Sequence, residues 1–194
     1  MLKPLNSLTL AHFLVKQAVF PGAAVVDATA GRGRDTAFLA QAVGQDGQVW
    51  AFDIQPEALE STAALLTQNH LTEQVTLVCA GHEHLAEYVH RPIAAAMFNL
   101  GYLPSGNKSL ITRAETSLPA LKAALDKLRP GGVVTLVVYT GHPGGAEEAA
   151  QLETFLESLS QHEFDVLKFT YPNRVKSNPY LIAIWKQQLE VGNV

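Results

Sequence analysis

The run Asp27-Ala28-Thr29-Ala30-Gly31-Arg32-Gly33-Arg34-Asp35-Thr36 follows the β-branched pair Val25-Val26. A strand that enters a glycine turn and then opens a helix can bring its backbone close to a ligand, because glycine has no Cβ in the way. A dinucleotide turn would read Gly-x-Gly-x-x-Gly and aim the helix start at a pyrophosphate. Here Thr36 stands where the third glycine would be, and an acid precedes the turn. Asp27 and Asp35 flank the glycines, which suits a ligand that is positive and carries no phosphate. S-adenosylmethionine, with an ammonium and a sulfonium, has that character. Thr29, Gly31, Gly33 and Thr36 complete this candidate cofactor wall. Asp35 could also serve simply as a helix cap.

A second acid, Asp53, ends the stretch Trp50-Ala51-Phe52-Asp53-Ile54-Gln55, 20 residues beyond Gly33. A carboxylate at the end of a second strand can accept both ribose hydroxyls of a nucleoside. Ile54 offers an apolar face for adenine, and Gln55 lies beside it. The plainer role for Asp53 is to cap the helix that begins near Pro56.

Two further segments could carry the reaction. Met97-Phe98-Asn99-Leu100-Gly101-Tyr102-Leu103-Pro104 places Asn99 and Tyr102 at the end of a fourth strand, where parallel sheets hold their ligands. An Asn side chain there can position an amine in line with a sulfonium methyl, and positioning alone lowers such a barrier substantially. His142, in Tyr139-Thr140-Gly141-His142-Pro143-Gly144-Gly145, could accept a proton or touch the substrate; a backbone-bonded loop histidine is the alternative. His82-Glu83-His84 follows the third strand. Neighbouring residues on a helix point apart, so ordering of the cofactor-facing loop is expected here, and no metal site. Lys108, Arg113, Arg174 and Lys176 could gather as a patch for RNA phosphates or be scattered solubilising charge.

The elements that must position these residues follow from the apolar pattern. Helices are expected over Leu8–Phe20 (capped by Asn6 or Ser7), Asp35–Val43, Pro56–Asn69, Thr112–Leu128 and Ala146–Ser160. Strands are expected over Ala24–Thr29, Gln48–Asp53, Val75–Cys79, Ile93–Asn99, Val133–Tyr139, Phe164–Thr170 and Tyr180–Trp185. Arg129-Pro130-Gly131-Gly132 reads as a turn. The alternation implies an α/β fold with a mostly parallel sheet and helices on both faces. The last two strands leave no room for a crossover helix and should form an antiparallel hairpin. Seven strands ending that way are the plan of Rossmann-like, class I methyltransferases.

The bulk numbers agree with one domain over residues 1–194. The chain is 47% hydrophobic and 16% charged, with a net charge of −4, so it reads as globular and lacks a whole-molecule basic footprint. Its one cysteine, Cys79, excludes an internal disulfide and reads as a buried core residue. No signal peptide or membrane span is legible, so a cytoplasmic location is the default.

With these motifs in hand, the sequence resembles the family labelled rRNA methylases, whose characterised bacterial members methylate 5-aminomethyl-2-thiouridine in tRNA. The likeness rests on Asp27-Ala28-Thr29, Gly31, Gly33, Asp35-Thr36, Phe52-Asp53-Ile54-Gln55 and His82-Glu83. It continues through Asn99-Leu100-Gly101-Tyr102-Leu103-Pro104, Lys108-Ser109, Glu115-Thr116, Pro130-Gly131-Gly132, Tyr139, Gly141 to Gly145 and Asn178-Pro179. Many relatives carry Asn between the loop glycines, where this chain has Arg32. The resemblance implies S-adenosylmethionine as donor and the exocyclic amine at the tRNA wobble position as acceptor. It further implies cofactor contacts at His82, Glu83 and Asn99, and substrate contacts at Tyr102, Tyr139 and His142. A compact enzyme, possible as a homodimer and without a separate RNA-binding domain, is expected. The competing readings are an rRNA or small-molecule methyltransferase, a nicotinamide-binding oxidoreductase and a noncatalytic RNA-binding module.

Overall fold

A computed structural model describes residues 6–101, 111–174 and 179–188. Helix α1 (Ser7–Ala18) starts where Asn6 accepts a hydrogen bond from the Thr9 amide at 2.7 Å, so Asn6 is the cap. Val19 turns extended and stops the helix two residues earlier than the sequence suggests. β1 (Ala24–Asp27) leads through the glycine turn to α2 (Arg34–Val43). β2 (Gln48–Asp53), α3 (Pro56–Gln68) and β3 (Val75–Cys79) follow. A single 3-10 turn (His82–His84) and the one-turn helix α4 (Leu85–Tyr88), neither expected, lead to β4 (Ile93–Leu100). Then come α5 (Ala114–Lys127), β5 (Leu128–Val138), α6 (Gly145–Glu157), β6 (Phe164–Phe169) and β7 (Tyr180–Lys186).

The seven strands form one sheet in the order β3-β2-β1-β4-β5-β7-β6. β1 to β5 pair in parallel, whereas β7 runs antiparallel to both β5 and β6. The expected hairpin is present, and β7 returns past β6 to sit against β5. Helices cover both faces, so strand residues alternate between two apolar layers. Val26, Phe98, Leu136 and Ile182 face Leu121 of α5 and Leu152 of α6. Val25, Met97, Val137 and Leu181 face Val15 of α1 and Leu39 of α2. The strand order reverses between β1 and β4, which opens a crevice above their C-terminal ends.

Two expectations need correction. Arg129-Pro130-Gly131-Gly132 is not a turn that ends before the strand. β5 begins at Leu128, and its pairing with β4 jumps from Ile93↔Leu128 to Ala95↔Val133, so the extra residues form a bulge inside the strand. Gly131 adopts φ +74°, and a Cβ on Gly132 would lie 2.9 Å from the Ala94 carbonyl oxygen. Cys79 is exposed rather than buried. β3 is an edge strand, and only Val78 within it is fully packed.

Candidate active site

The crevice widens into a cavity of about 650 Å³ walled by the ends of β1, β2 and β4 and by the loops that follow them. Ten of the residues singled out in the sequence border it: Thr29, Gly31, Asp35, Asp53, Ile54, Gln55, His82, Glu83, Asn99 and Tyr139. Asp53 is held at its mouth by the backbone. One carboxylate oxygen accepts the Gly31 amide and the other the Gln55 amide, both at 2.9 Å. The cap of α3 is Gln55, with no side-chain cap bond, so Asp53 orders the loop before the helix and does not cap it; each of its oxygens keeps a second lone pair for a ligand. Ile54 is 50% exposed beside it, an unusual placing for an isoleucine and a ready apolar platform.

Asp27, Gly33 and Thr36 stand behind this wall. Asp27 is fully buried and accepts hydrogen bonds from the Thr36 hydroxyl (2.6 Å) and the Thr29 amide (3.1 Å). Burial, reinforced by the negative charge of Asp35, pushes its carboxyl up to about 7. Asp27 thus organises the turn from beneath, and its expected direct contact with a cationic ligand gives way to this supporting place. Gly33 caps α2 with φ +77°, and a Cβ there would lie 2.9 Å from the Thr62 backbone. Its glycine is required by the packing of the turn on α3.

Asp35 does not cap α2 by its side chain. Its carboxylate instead meets His12 Nε2 at 2.7 Å. The Thr29 hydroxyl accepts the Asn99 backbone N–H at 2.8 Å and so ties the ends of β1 and β4 together, with Asn99 bordering the cavity. His82 is buried, and burial lowers its basicity, so the ring is neutral near neutral pH. Nδ1 lies 3.1 Å from the Ala28 carbonyl and must donate to it, which makes Nε2 an acceptor; no described residue bonds to it. His84 points away and pairs with Glu87 at 2.8 Å. Among the described residues no three His, Cys, Asp or Glu side chains gather as metal ligands. Tyr139 closes the far wall, where burial and the charge of Asp35 raise its phenol above the usual range.

The remaining candidates are dispersed. Arg113 borders a separate recess of about 290 Å³ together with Pro143 and Gly144. His142 borders neither space, and its Nδ1 lies 3.1 Å from the Pro143 carbonyl. Arg174 also borders neither and stacks on Tyr171 with its guanidinium carbon 3.9 Å from the ring centre. Tyr102, Lys108 and Lys176 lie outside the described residues. The sequence reading gave no site role to Leu8, Arg34 and Thr112, and named Arg32 and Thr116 only as positions compared with the family; all five border the cavity. For Leu8 the only signal was the helical spacing that sets it one turn from His12.

The profile of a protein family described as "Putative rRNA methylase" matches residues 49–185. The chain belongs to that family. A chloroplastic tRNA (mnm(5)s(2)U34)-methyltransferase of Arabidopsis thaliana is 42% identical over 189 residues, covering 92% of this chain and 69% of the relative. A solved rRNA-methylase, itself described as putative, from Clostridium thermocellum superposes with a TM-score of 0.93 at 43% identity, covering 95% of this chain and all of that one. A Streptococcus mutans methyltransferase, likewise described as putative and solved with SAH, gives 0.86 at 36% identity over 96% of this chain and 99% of that one. The family member described here is an S-adenosylmethionine-dependent methyltransferase of Rossmann-like fold. Its cavity fits that cofactor: an acid held ready beside an exposed isoleucine, a second acid across the glycine turn, and an orphaned buried acceptor on His82. No helix among the described residues is long and apolar enough to cross a membrane.

Proposed function

We propose that the chain methylates the exocyclic amine of 5-aminomethyl-2-thiouridine at the wobble position of tRNA. The observation that carries this reading is the 42% identity to a relative named for that position, combined with Asn99 at the cavity wall. Asp53 would receive the ribose hydroxyls, Ile54 would pack on adenine and Asp35 would face the methionyl cations. S-adenosylmethionine supplies an electrophilic methyl on its sulfonium. Asn99, fixed through its amide on Thr29, would accept a hydrogen bond from the neutral amine and aim its lone pair at that methyl. The bound donor would give up this methyl to the amine and keep the S–C electron pair on its sulfur. The alkylated ammonium then loses a proton to solvent.

RNA docking needs positive charge near the mouth, and the chain is acidic overall. Arg32 and Arg34 are both exposed and border the cavity, and Arg113 stands at the adjoining recess. These arginines, with Lys108, would meet phosphates flanking the target nucleoside.

Purified protein, S-adenosylmethionine and tRNA carrying 5-aminomethyl-2-thiouridine should yield that nucleoside with one added methyl group, read by mass after digestion. Asn99→Ala should lower turnover by about a hundredfold while cofactor binding persists. No methyl gain on this tRNA, with cofactor binding intact, would refute the proposed acceptor. Gain on rRNA instead would match the family's description.

A further inference from the structure

We infer that His12 is a positioning residue of the cofactor site, holding the Asp35 carboxylate at the cavity wall toward the cationic methionyl end of S-adenosylmethionine. The inference rests on the reading of Asp35 as a cofactor ligand. Asp35 is only 7% exposed, so its carboxylate needs a partner inside the fold. That partner comes from another helix. His12 Nε2 reaches it at 2.7 Å from α1, and because an ionised carboxylate only accepts, Nε2 carries the hydrogen.

The ring that makes this bond is itself fixed. His12 stacks face to face on Phe38, with centroids 4.1 Å apart and planes 3° from parallel. Phe38 lies one helical turn beyond Asp35 on α2, so ring plane and carboxylate are set by one rigid element. Leu8, one turn before His12, borders the cavity. Thus α1 forms a side wall and supplies the donor that orients Asp35. The direction follows from the other walls. Asp53 and Ile54 mark the adenosine end at β2, whereas the charge of Asp35 is felt by Tyr139 beyond β5. Asp35 accordingly faces the half of the cavity where the methionyl group and the acceptor meet.

Two substitutions separate this role from simple packing. His12→Phe keeps a flat ring to stack on Phe38 and removes the donor. His12→Gln keeps an amide N–H near the position of Nε2. Affinity for S-adenosylmethionine is measured by calorimetry on both, beside thermal melting and turnover at saturating cofactor. We expect His12→Phe to weaken cofactor binding about tenfold, the loss of one charge-assisted hydrogen bond. His12→Gln should stay within about threefold of the parent, and in His12→Phe the KM for S-adenosylmethionine should move more than turnover at saturating cofactor. Unchanged binding in His12→Phe overturns the inference. Equal weakening in both variants also overturns it, because the shape of α1 and not the donor would then be at work. Asp35→Asn is the control for the premise. If it binds S-adenosylmethionine as tightly as the parent, the reading of Asp35 fails and the role of His12 falls with it, while methyl transfer by the parent to the tRNA nucleoside is unaffected by that result.

Discussion

The buried Asp27 carboxyl makes stability depend on pH in a direction opposite to that of a paired surface acid. Its folded value of about 7 lies above the unfolded 3.8. Between those values the folded chain keeps a proton that the unfolded chain has released, so stability falls as pH rises. The interval spans about 3 pH units; at about 1.36 kcal/mol per unit, the loss amounts to at most about 4 kcal/mol. Asp27→Asn cannot ionise and lacks this dependence. Its carbonyl can still accept from Thr36 or from the Thr29 amide, so the fold should survive with a constant offset. Urea denaturation of cofactor-free parent and variant, from about pH 4.5 to about pH 8, gives two stability curves. Subtracting them cancels the other titrating groups. The parent's advantage should shrink steadily across the interval and level off above about pH 7. A flat difference would mean that Asp27 ionises in the fold as it does in the unfolded chain. A difference that grows with pH would mean that its two hydrogen bonds outweigh burial and the charge of Asp35.

Gly33→Ala should destabilise the chain by about 2 kcal/mol or more, because the left-handed backbone and the Thr62 contact oppose it together. Gly144 has φ +81° with nothing within 4 Å, so Gly144→Ala should cost only about 1 kcal/mol, and paired chemical melts distinguish the two. Glu148 is buried and accepts from the Thr112 hydroxyl at 2.9 Å and the Ser117 hydroxyl at 2.6 Å. Glu148→Ala strands the buried Ser117 hydroxyl between α5 and α6 and releases that of Thr112, and should lose about 1 to 3 kcal/mol in denaturant titrations. Asp53→Ala removes the acceptor for the Gly31 and Gln55 amides together with the proposed ribose contact, and should weaken S-adenosylmethionine binding by about a hundredfold in calorimetry. Unchanged affinity there would move the nucleoside elsewhere in the cavity.

The sequence showed β2 and β3 with the bounds the structure has, because each is a short apolar run closed by turn residues. It showed the antiparallel tail because no helix could fit between its strands. It failed at Arg129-Pro130-Gly131-Gly132, where local turn chemistry is absorbed into a bulge by pairing with β4, a distant partner. Cys79 failed for a related reason: an apolar stretch does not say whether its strand lies at the centre or the edge of the sheet. In the site, Asp53 and Asn99 were legible since strand ends in a parallel sheet face the crevice. The order of the acids around the glycine turn was not. Asp27 and Asp35 look equivalent in the sequence, yet one is sealed beneath the turn and the other reaches the cavity. The histidine that sorts them, His12, sits 23 residues away from Asp35. His142 stood out as a lone histidine among glycines, but chain proximity to a strand end did not bring it to the cavity.

The insertion of β7 between β5 and β6 sets the sequence of events during synthesis. A growing chain that has made everything up to β6 still has the long flank of β5 uncovered, and β6 has no neighbour to pair with. Tyr180–Lys186 supplies both partners at once, and the Ser7 hydroxyl on α1 then grips the Pro179 carbonyl at 2.8 Å. Helix α1 and strand β7, far apart in the chain, are thereby tied together. Until β7 pairs, one backbone edge of β5 stands uncovered, and an unpaired strand edge is a template for pairing with another chain.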